Sequence, residues 1–140
     1  MVSHPVDVRL VTAWESAEIV ALYKSAGWWK EWYDPAGVPL LLQRSFAFAV
    51  AVDTSTGRAV GMGRVLSDGV SDGYIQDVVV LPEYRHHEVG KQLIDALVKA
   101  CLSQGVTWVG LVAVPGSVSF YEECGFHPMP GHTPMLYGSG

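Results

Sequence analysis

The hydrophobic and polar positions change period several times along the chain, and each change predicts a different element. A weak alternation over residues 6–11 predicts a first strand. Thr12, followed three residues later by Glu15, forms a capping-box pattern, and apolar residues then repeat at helical spacing as far as Ser25. This spacing predicts a helix that begins at the capping box and ends before Gly27.

The centre of the chain has the period of β-strands. Residues 46–52 and 59–66 are short apolar runs joined by a polar connection that ends in glycine, which is typical of a hairpin. Residues 74–80 form a third run, rich in β-branched side chains and closed by Pro82. We therefore expect three antiparallel strands in series, preceded by a short helix over residues 38–44.

The last third returns to helical spacing and then to a strand. Residues 93–101 place apolar side chains on one helix face, and Gly105 ends that helix. Residues 106–114 predict a buried strand, residues 117–124 a short helix, and the proline-rich C-terminal segment one last strand. The order predicts an α/β (α+β) fold in one domain over residues 1–140, with a mixed, mostly antiparallel central sheet flanked by helices on both faces.

Composition and charge narrow the class of function. The chain has 140 residues, of which 49% are hydrophobic and 16% charged, as expected of one compact domain. Nine basic residues against fourteen acidic ones give a net charge of −5, and the basic residues are scattered, which argues against a nucleic-acid partner. The sequence shows neither an N-terminal leader nor an apolar run near the roughly 18 residues of a membrane span, so we expect a cytoplasmic protein. The spacing of Cys101 and Cys124 suggests neither a disulfide framework nor a zinc site.

The segment over residues 78–91 carries the first candidate chemistry. It leads from a predicted strand through a short loop into a helix, whose first N–H groups are unpaired and face the positive end of the helix dipole. Arg85 and Lys91 add positive charge nearby. The segment can therefore hold a phosphate or diphosphate, although an ordinary connection between strand and helix has the same pattern.

A second segment, Ser119-Phe-Tyr-Glu-Glu-Cys-Gly-Phe126, follows downstream. Together the two segments resemble the GNAT N-acetyltransferase superfamily, whose motifs read V-x-P-x-x-[QR]-x-x-G-x-[GA] and FYExxGF. The resemblance implies the GNAT fold and an acyl transfer from acetyl-CoA to an amine. The matching residues are Val80, Pro82, Arg85, Gly90, Phe120, Tyr121, Gly125 and Phe126.

The resemblance also implies where acetyl-CoA binds. The cosubstrate would lie in a wedge between the predicted strands 74–80 and 106–114, with its pantetheine paired to the main chain of Val78 and Val80. Its diphosphate would rest on the amides that start the following helix. The implied binding residues are Val78, Val79, Val80, Arg85, His86, His87, Glu88, Val89, Gly90, Lys91, Ser117 and Phe120.

The implied chemistry requires an acid, and the amine must lose a proton. Tyr121, with an ordinary pKa of about 10, suits a thiol leaving group, although it could instead be a core aromatic residue. Asp77 is the carboxylate in strand 74–80 and could relay the amine proton, but a structural carboxylate is an equal alternative, and water could serve as the base. Gln76 could bind the substrate. Alternation places Tyr74, Gln76, Val78 and Val80 on one face of this strand and Ile75, Asp77 and Val79 on the other.

An aromatic cluster lies where the family builds its acceptor wall. Trp28, Trp29, Trp32 and Tyr33 could hold an aryl ring or a cationic amine through their π faces. The alternative is that these rings cover a flank of the sheet or form the contact of a homodimer.

Glu88 departs from the family, since it replaces the first glycine of the loop motif. A left-handed backbone at a non-glycine residue costs roughly 1–2 kcal/mol, and a carboxylate near phosphate is repulsive, so we expect weakened CoA binding. Protonation of His86 and His87 would offset this repulsion below about pH 6.5. We expect no metal here, because adjacent side chains diverge and the sequence shows no fourth ligand.

The sequence therefore predicts an acetyl-CoA-dependent N-acetyltransferase that acts on the amine of a small molecule by direct attack. Two competing hypotheses stay open. The first is a catalytically weak or inactive ligand-binding or regulatory protein, which Glu88 favours. The second is a peptide or protein N-acetyltransferase, whose acceptor would need an open groove rather than an aromatic enclosure.

Overall fold

A computed structural model describes residues 5–85 and 88–138. This part of the chain forms one five-stranded sheet and four α-helices, with two short 3₁₀ turns at Pro35–Gly37 and Pro82–Tyr84. The elements in chain order are β1 (Val6–Leu10), α1 (Ser16–Ser25), α2 (Val38–Arg44), β2 (Ala47–Asp53), β3 (Arg58–Ser67), β4 (Asp72–Val80), α3 (Val89–Ser103), β5 (Trp108–Leu111) and α4 (Val118–Glu123).

The strands lie in the order β1-β2-β3-β4-β5. The first four pair antiparallel, while β5 pairs parallel to β4 after the crossover through α3. This mixed, mostly antiparallel sheet confirms the predicted fold class. Within the described ranges, no helix is long and apolar enough to cross a membrane.

The sheet has a hydrophobic core on each face, and β2 shows why. Every residue of β2 is buried, and its side chains alternate between the two cores. Small residues such as Ala49 and Ala51 face α3, which therefore packs Leu93 and Leu97 closely against the sheet. Larger residues of β2 face α1 and α2, where they pack around Ile19. The predicted helices on both faces are thereby confirmed.

The predicted start of the first helix is wrong. Helix α1 begins at Ser16, and Glu15 precedes it without a side-chain cap. The reason lies in the sheet, because the Val11 N–H still donates to the Phe48 carbonyl at 2.8 Å. The chain is therefore still held along β2 at the position where a capping box at Thr12 would already have to turn it.

The predicted end of the sheet is also wrong. Strand β5 is shorter than expected, and Trp108 is 51% exposed rather than buried. Residues 125–138 contain no strand. Pro128, Pro130 and Pro134 lack the N–H that a ladder requires, so this segment cannot pair continuously with β5. In the part of the chain that the structure describes, β5 is therefore an edge strand.

Between two successive residue pairs of the β3–β4 ladder, β4 has one more residue than β3. Met62 pairs with Val79 and Arg64 pairs with Gln76, so residues 77–78 of β4 face a single residue of β3. Such a β-bulge bends its strand and increases the local twist.

The bulge changes which side chains share a face of the sheet. Asp77 takes a left-handed backbone with φ of 60°, a conformation that Asp tolerates better than most residues. Ile75 packs in the core beneath α3, whereas Val79 packs in the core beneath α1. The predicted alternation is therefore wrong beyond Gln76, because it assumed an unbroken pleat.

Gly63 lies opposite the bulge, and we predict that it cannot be replaced without loss of stability. A Cβ at Gly63 would lie 3.0 Å from Leu97 Cδ1 and 3.2 Å from Val78 Cγ2. The variant Gly63→Ala should lower the free energy of unfolding by about 1–3 kcal/mol, as overpacking does in other cores. The measurement is urea denaturation.

Gly37→Ala is the matched control, because a Cβ at Gly37 would meet nothing within 4 Å. Gly37→Ala should be neutral or stabilising by up to about 1 kcal/mol. Equal midpoints for the two variants would show that the sheet is not packed tightly at the bulge.

Candidate active site

Strands β4 and β5 separate partway along their length. They pair from Asp72 with Trp108 to Ile75 with Leu111, and β4 then continues to Val80 without a partner on that side in the described ranges. A cleft of about 210 Å³ opens where the strands part. The predicted wedge therefore exists, and the bulge in β4 lies beside it.

The main chain of β4 faces the opening at alternate residues. The Leu81 N–H donates to the Val60 carbonyl of β3 at 2.8 Å. Because main-chain directions alternate along a strand, Val79 also faces β3, whereas Val78 and Val80 direct their N–H and C=O groups toward the opening. Of the three valines predicted to bind acetyl-CoA, two thus offer main-chain groups there and Val79 does not.

The cleft is lined from three regions of the chain: β4, the segment that follows β5, and the loop after α1. Helix α4 closes it with Tyr121. The lining residues are Trp28, Tyr74, Ile75, Gln76, Asp77, Val78, Leu111, Val112, Val114 and Tyr121.

Tyr121 reaches the cleft from the short helix α4. Its ring packs at 5.0 Å from the Phe120 ring and 6.0 Å from the Phe126 ring, measured between centroids. Its hydroxyl makes no hydrogen bond to any residue within 5–85 or 88–138. Burial raises the pKa of Tyr121 above its ordinary value, so the phenol keeps its proton at physiological pH. A proton donor is therefore available in the cleft.

Asp77 is held by two donors rather than left free. Its Oδ2 accepts hydrogen bonds from Tyr23 Oη and from Arg64 Nε, each at 2.7 Å. Arg64 Nη2 also donates to Gln76 Oε1 at 3.2 Å. Burial and the bond to Asp77 raise the pKa of Tyr23, so it stays a donor. This arrangement favours the structural alternative for Asp77 over the proton relay.

Tyr23 and Arg64 were missed by the sequence reasoning. Tyr23 belongs to the apolar face of α1, so its spacing indicates only a core residue. Arg64 offered a signal, because it is the one charged residue inside the apolar run 59–66. A charge within such a run requires a partner, although the run does not say which one.

The loop before α3 has the left-handed turn that its glycine motif implies. Glu88 adopts φ of 62°, and its side chain is 72% exposed. Lys91, which was expected to add free positive charge, lies 3.0 Å from Glu123 Oε2 and 4.0 Å from Glu88 Oε1. Glu123 raises the pKa of Lys91. The lysine near the start of α3 is therefore paired with Glu123 rather than free, and Arg85 Nε donates to the Val80 carbonyl at 3.1 Å.

Gly90 and Phe120 contact each other across α3 and α4. A Cβ at Gly90 would lie 2.9 Å from Phe120 Cζ, so glycine is what allows the phenylalanine ring to cover the first turn of α3. Val89 is buried in the core and contributes only main chain to that turn. Ser117 does not line the cleft, and its hydroxyl donates at 2.7 Å to the carbonyl of Val114, which does.

The remaining predicted residues are two histidines and the aromatic cluster, and the structure does not bring all of the cluster into the cleft. His86 and His87 lie outside the described residues. Of the four clustered aromatic residues, Trp28 lines the cleft, whereas Trp29 packs edge-on to Tyr33 at 5.5 Å and Trp32 is 79% exposed. Within the described ranges, no group of three or more His, Cys, Asp or Glu side chains could hold a metal ion.

Comparison with known proteins identifies the family. The model of the Acetyltransferase (GNAT) family matches residues 10–126, so the chain belongs to this family. An uncharacterized N-acetyltransferase, ycf52 of Porphyra purpurea, is 28% identical over 109 residues, which are 78% of this chain and 63% of that protein. The chain spans less than two thirds of the curated relatives that it matches, and as little as 28% of one of them.

Solved structures share the fold. A GNAT acetyltransferase from Streptococcus pneumoniae TIGR4 superposes with a TM-score of 0.80 at 23% identity, covering 96% of this chain and 98% of that one. AAC(6')-Iy, solved in complex with the bisubstrate analog CoA-S-monomethyl-acetylneamine, gives a TM-score of 0.74 at 18% identity, covering 97% and 99%. The predicted membership of the GNAT superfamily is confirmed.

We predict that the contact between Asp77 and its donors stabilises the bulge. Asp77→Asn tolerates the left-handed backbone but leaves the Arg64 charge without an anion, so it should lower the free energy of unfolding by about 1–3 kcal/mol. Combination with Tyr23→Phe in a double-mutant cycle should give a coupling of at least about 0.5 kcal/mol.

Asp95→Asn serves as the control, because the ion pair of Asp95 with Lys99 is 63% and 74% exposed. That substitution should cost no more than about 0.5 kcal/mol. Equal losses from Asp77→Asn and Asp95→Asn in urea denaturation would contradict the role assigned to the bulge contact.

Proposed function

We propose that this chain transfers an acetyl group from acetyl-CoA to the amine of a small molecule by direct attack. The observation that carries the proposal is the opening between β4 and β5, where β4 has no strand partner in the described ranges and which contains a protonated tyrosine. Membership of the GNAT acetyltransferase family supports it. So does the shared fold of AAC(6')-Iy, which was solved with a CoA-containing analog.

The residues around the opening fit acetyl-CoA as a substrate. The main chain of Val78 and the N–H of Val80 suit the amides of pantetheine, in the manner of an added strand, whereas the Val80 carbonyl already accepts from Arg85 Nε. The first turn of α3, from Val89 to Lys91, offers main-chain N–H groups that suit a diphosphate. Acetyl-CoA would bring the activated thioester, and the protein would orient it beside Tyr121.

The reaction needs proton transfers at the amine nitrogen and at the leaving sulfur, and a site for negative charge. An alkyl amine has a pKa of about 10.4, so it must lose a proton before it attacks, and we assign that proton to water because Asp77 is held by two donors. A main-chain N–H of Val78 can stabilise the charge that develops on the carbonyl oxygen as the nitrogen–carbon bond forms. As the carbon–sulfur bond breaks, Tyr121 donates a proton to the departing thiolate, and the nitrogen loses its second proton, which returns to Tyr121 through water.

An alternative function has an observation of its own. Glu88 replaces the loop glycine, and Glu123 neutralises Lys91, so the diphosphate would meet less positive charge than a free lysine provides. These features favour weaker CoA binding, and in the extreme a protein of this fold that binds another ligand or serves a regulatory role. Calorimetric titration with acetyl-CoA separates the two functions, since the regulatory alternative predicts no CoA-specific binding.

We predict that Tyr121→Phe lowers kcat for acetyl transfer by about 10²–10⁴-fold, the range typical of a lost general acid. The dissociation constant for acetyl-CoA should change by less than about threefold, because the ring and its packing remain. Release of CoA thiol measures turnover, and calorimetry measures binding.

Tyr137→Phe is the control, since Tyr137 is fully exposed in the C-terminal segment, and it should leave both values unchanged. A normal kcat in Tyr121→Phe would remove Tyr121 from the role of acid. Failure of the wild-type chain to bind acetyl-CoA would remove the whole proposal.

A further inference from the structure

The cleft lining is nearly free of net charge. Asp77 is its one ionisable acid or base other than tyrosine, and the Asp77 carboxylate is already paired with Arg64 at 2.7 Å. The Arg64 and Asp77 side chains are 16% and 18% exposed, so the pair is well shielded from solvent. The described lining therefore contains no second carboxylate for a second positive charge.

The rest of the lining is largely apolar. Leu111, Val112 and Val114 contribute aliphatic side chains from β5 and the segment that follows it. Trp28 and Tyr74 contribute aromatic rings from the loop after α1 and from β4. Val112 and Val114 are each 53% exposed, which leaves apolar surface free to be covered by a ligand.

Trp28 is held at its main chain and packs against Tyr23. Its main-chain N–H donates to the Tyr23 carbonyl at 3.0 Å, and its ring packs edge-on to the Tyr23 ring at 6.4 Å between centroids. Tyr23 is in turn held by Asp77 through its hydroxyl. A ring already packed against its neighbour loses less conformational freedom when it covers a flat ligand than a ring on a free side chain.

We propose that the acceptor is a monoamine whose single amino group is attached to a flat apolar body, such as a phenyl or indole ring. This inference rests on the proposed acetyl transfer and names its second substrate. The apolar body would lie against Trp28, beside the acetyl-CoA that β4 holds, where burial of apolar area and contact with the indole ring both favour it.

The same lining disfavours other amines. A polyamine or a basic peptide would bring additional positive charges into a cleft that has no anion left for them, and a buried unpaired charge is strongly unfavourable. An amino sugar would bring several hydroxyl groups, whereas the polar side chains available are Tyr74, Gln76 and Tyr121. Trp28 is therefore the residue that should determine acceptor specificity.

The test compares acceptors with the full chain and saturating acetyl-CoA. The panel contains 2-phenylethylamine, tryptamine, spermidine, glucosamine and a short lysine-containing peptide, and release of CoA thiol is followed. We expect kcat/KM for the two aryl amines to exceed that of each other amine by at least about tenfold, a factor that corresponds to roughly 1.4 kcal/mol.

Two tryptophan variants make the test specific. Trp28→Ala should raise the KM for the aryl amines by about tenfold or more, because it removes the indole ring that contacts the acceptor. It should leave the KM for acetyl-CoA within about twofold. Trp32→Ala is the matched comparison, since Trp32 is 79% exposed and does not line the cleft. It should leave both constants within about twofold.

The outcomes separate the acceptor from the reaction. A preference for spermidine, glucosamine or the peptide would overturn the acceptor class while leaving acetyl transfer intact. So would an aryl amine KM that is unchanged in Trp28→Ala, or acetyl-CoA binding by calorimetry without acetylation of either aryl amine. Absence of acetyl-CoA binding would overturn the proposed function itself, and the acceptor class with it.

Discussion

The carboxylate of Asp77 accepts hydrogen bonds from Arg64 and Tyr23, and these bonds tie the bulge of β4 to β3 and to α1. The extra residue at the bulge turns β4 away from its earlier course. Beyond Ile75 the strand no longer pairs with β5, and the opening between them is the cleft. The shielded ion pair of Arg64 and Asp77 therefore lies at the point where the sheet stops being continuous.

The rest of the fold is arranged around that interruption. The alanines of β2 let α3 pack close to the sheet, and Gly90 lets Phe120 of α4 cover the first turn of α3. Helix α4 in turn carries Tyr121 into the cleft. A short helix of six residues has little stability by itself, so its position depends on these contacts. Tyr121, the proposed proton donor, is therefore positioned by the same elements that frame the implied CoA site.

The loop before α3 shows how a departure from a family motif can be accommodated. Glu88 keeps the left-handed turn that glycine adopts more easily, and its side chain extends into solvent. Lys91, however, is drawn to Glu123 rather than left free. Because this ion pair is exposed on both sides, it is weak, and a phosphate could compete with Glu123 for the lysine.

Much of the fold could be predicted from the sequence, because period and turn residues specify elements locally. The three central strands and the helix over residues 93–101 follow from such patterns. The two segments of the candidate site were found from the motifs that contain Gly90 and Tyr121. The bulge at Asp77 could not be predicted in this way, since it depends on Tyr23 and Arg64, which lie far away in sequence. The predicted start of α1 and the predicted ends of β5 were wrong for a related reason. Pairing between strands, rather than the local sequence signals, sets where these elements begin and end.

The most direct test of the account is amide hydrogen exchange by NMR at three consecutive valines of β4, with and without CoA. Val79 faces β3, so we expect its amide to be protected in both states. The Val78 and Val80 amides face the opening, so they should exchange faster in the free protein and become at least about tenfold slower when CoA is bound. Equal protection of all three without ligand would mean that β4 is fully paired. Unchanged exchange at Val78 and Val80 with CoA bound would mean that the opening between the strands is not the binding site.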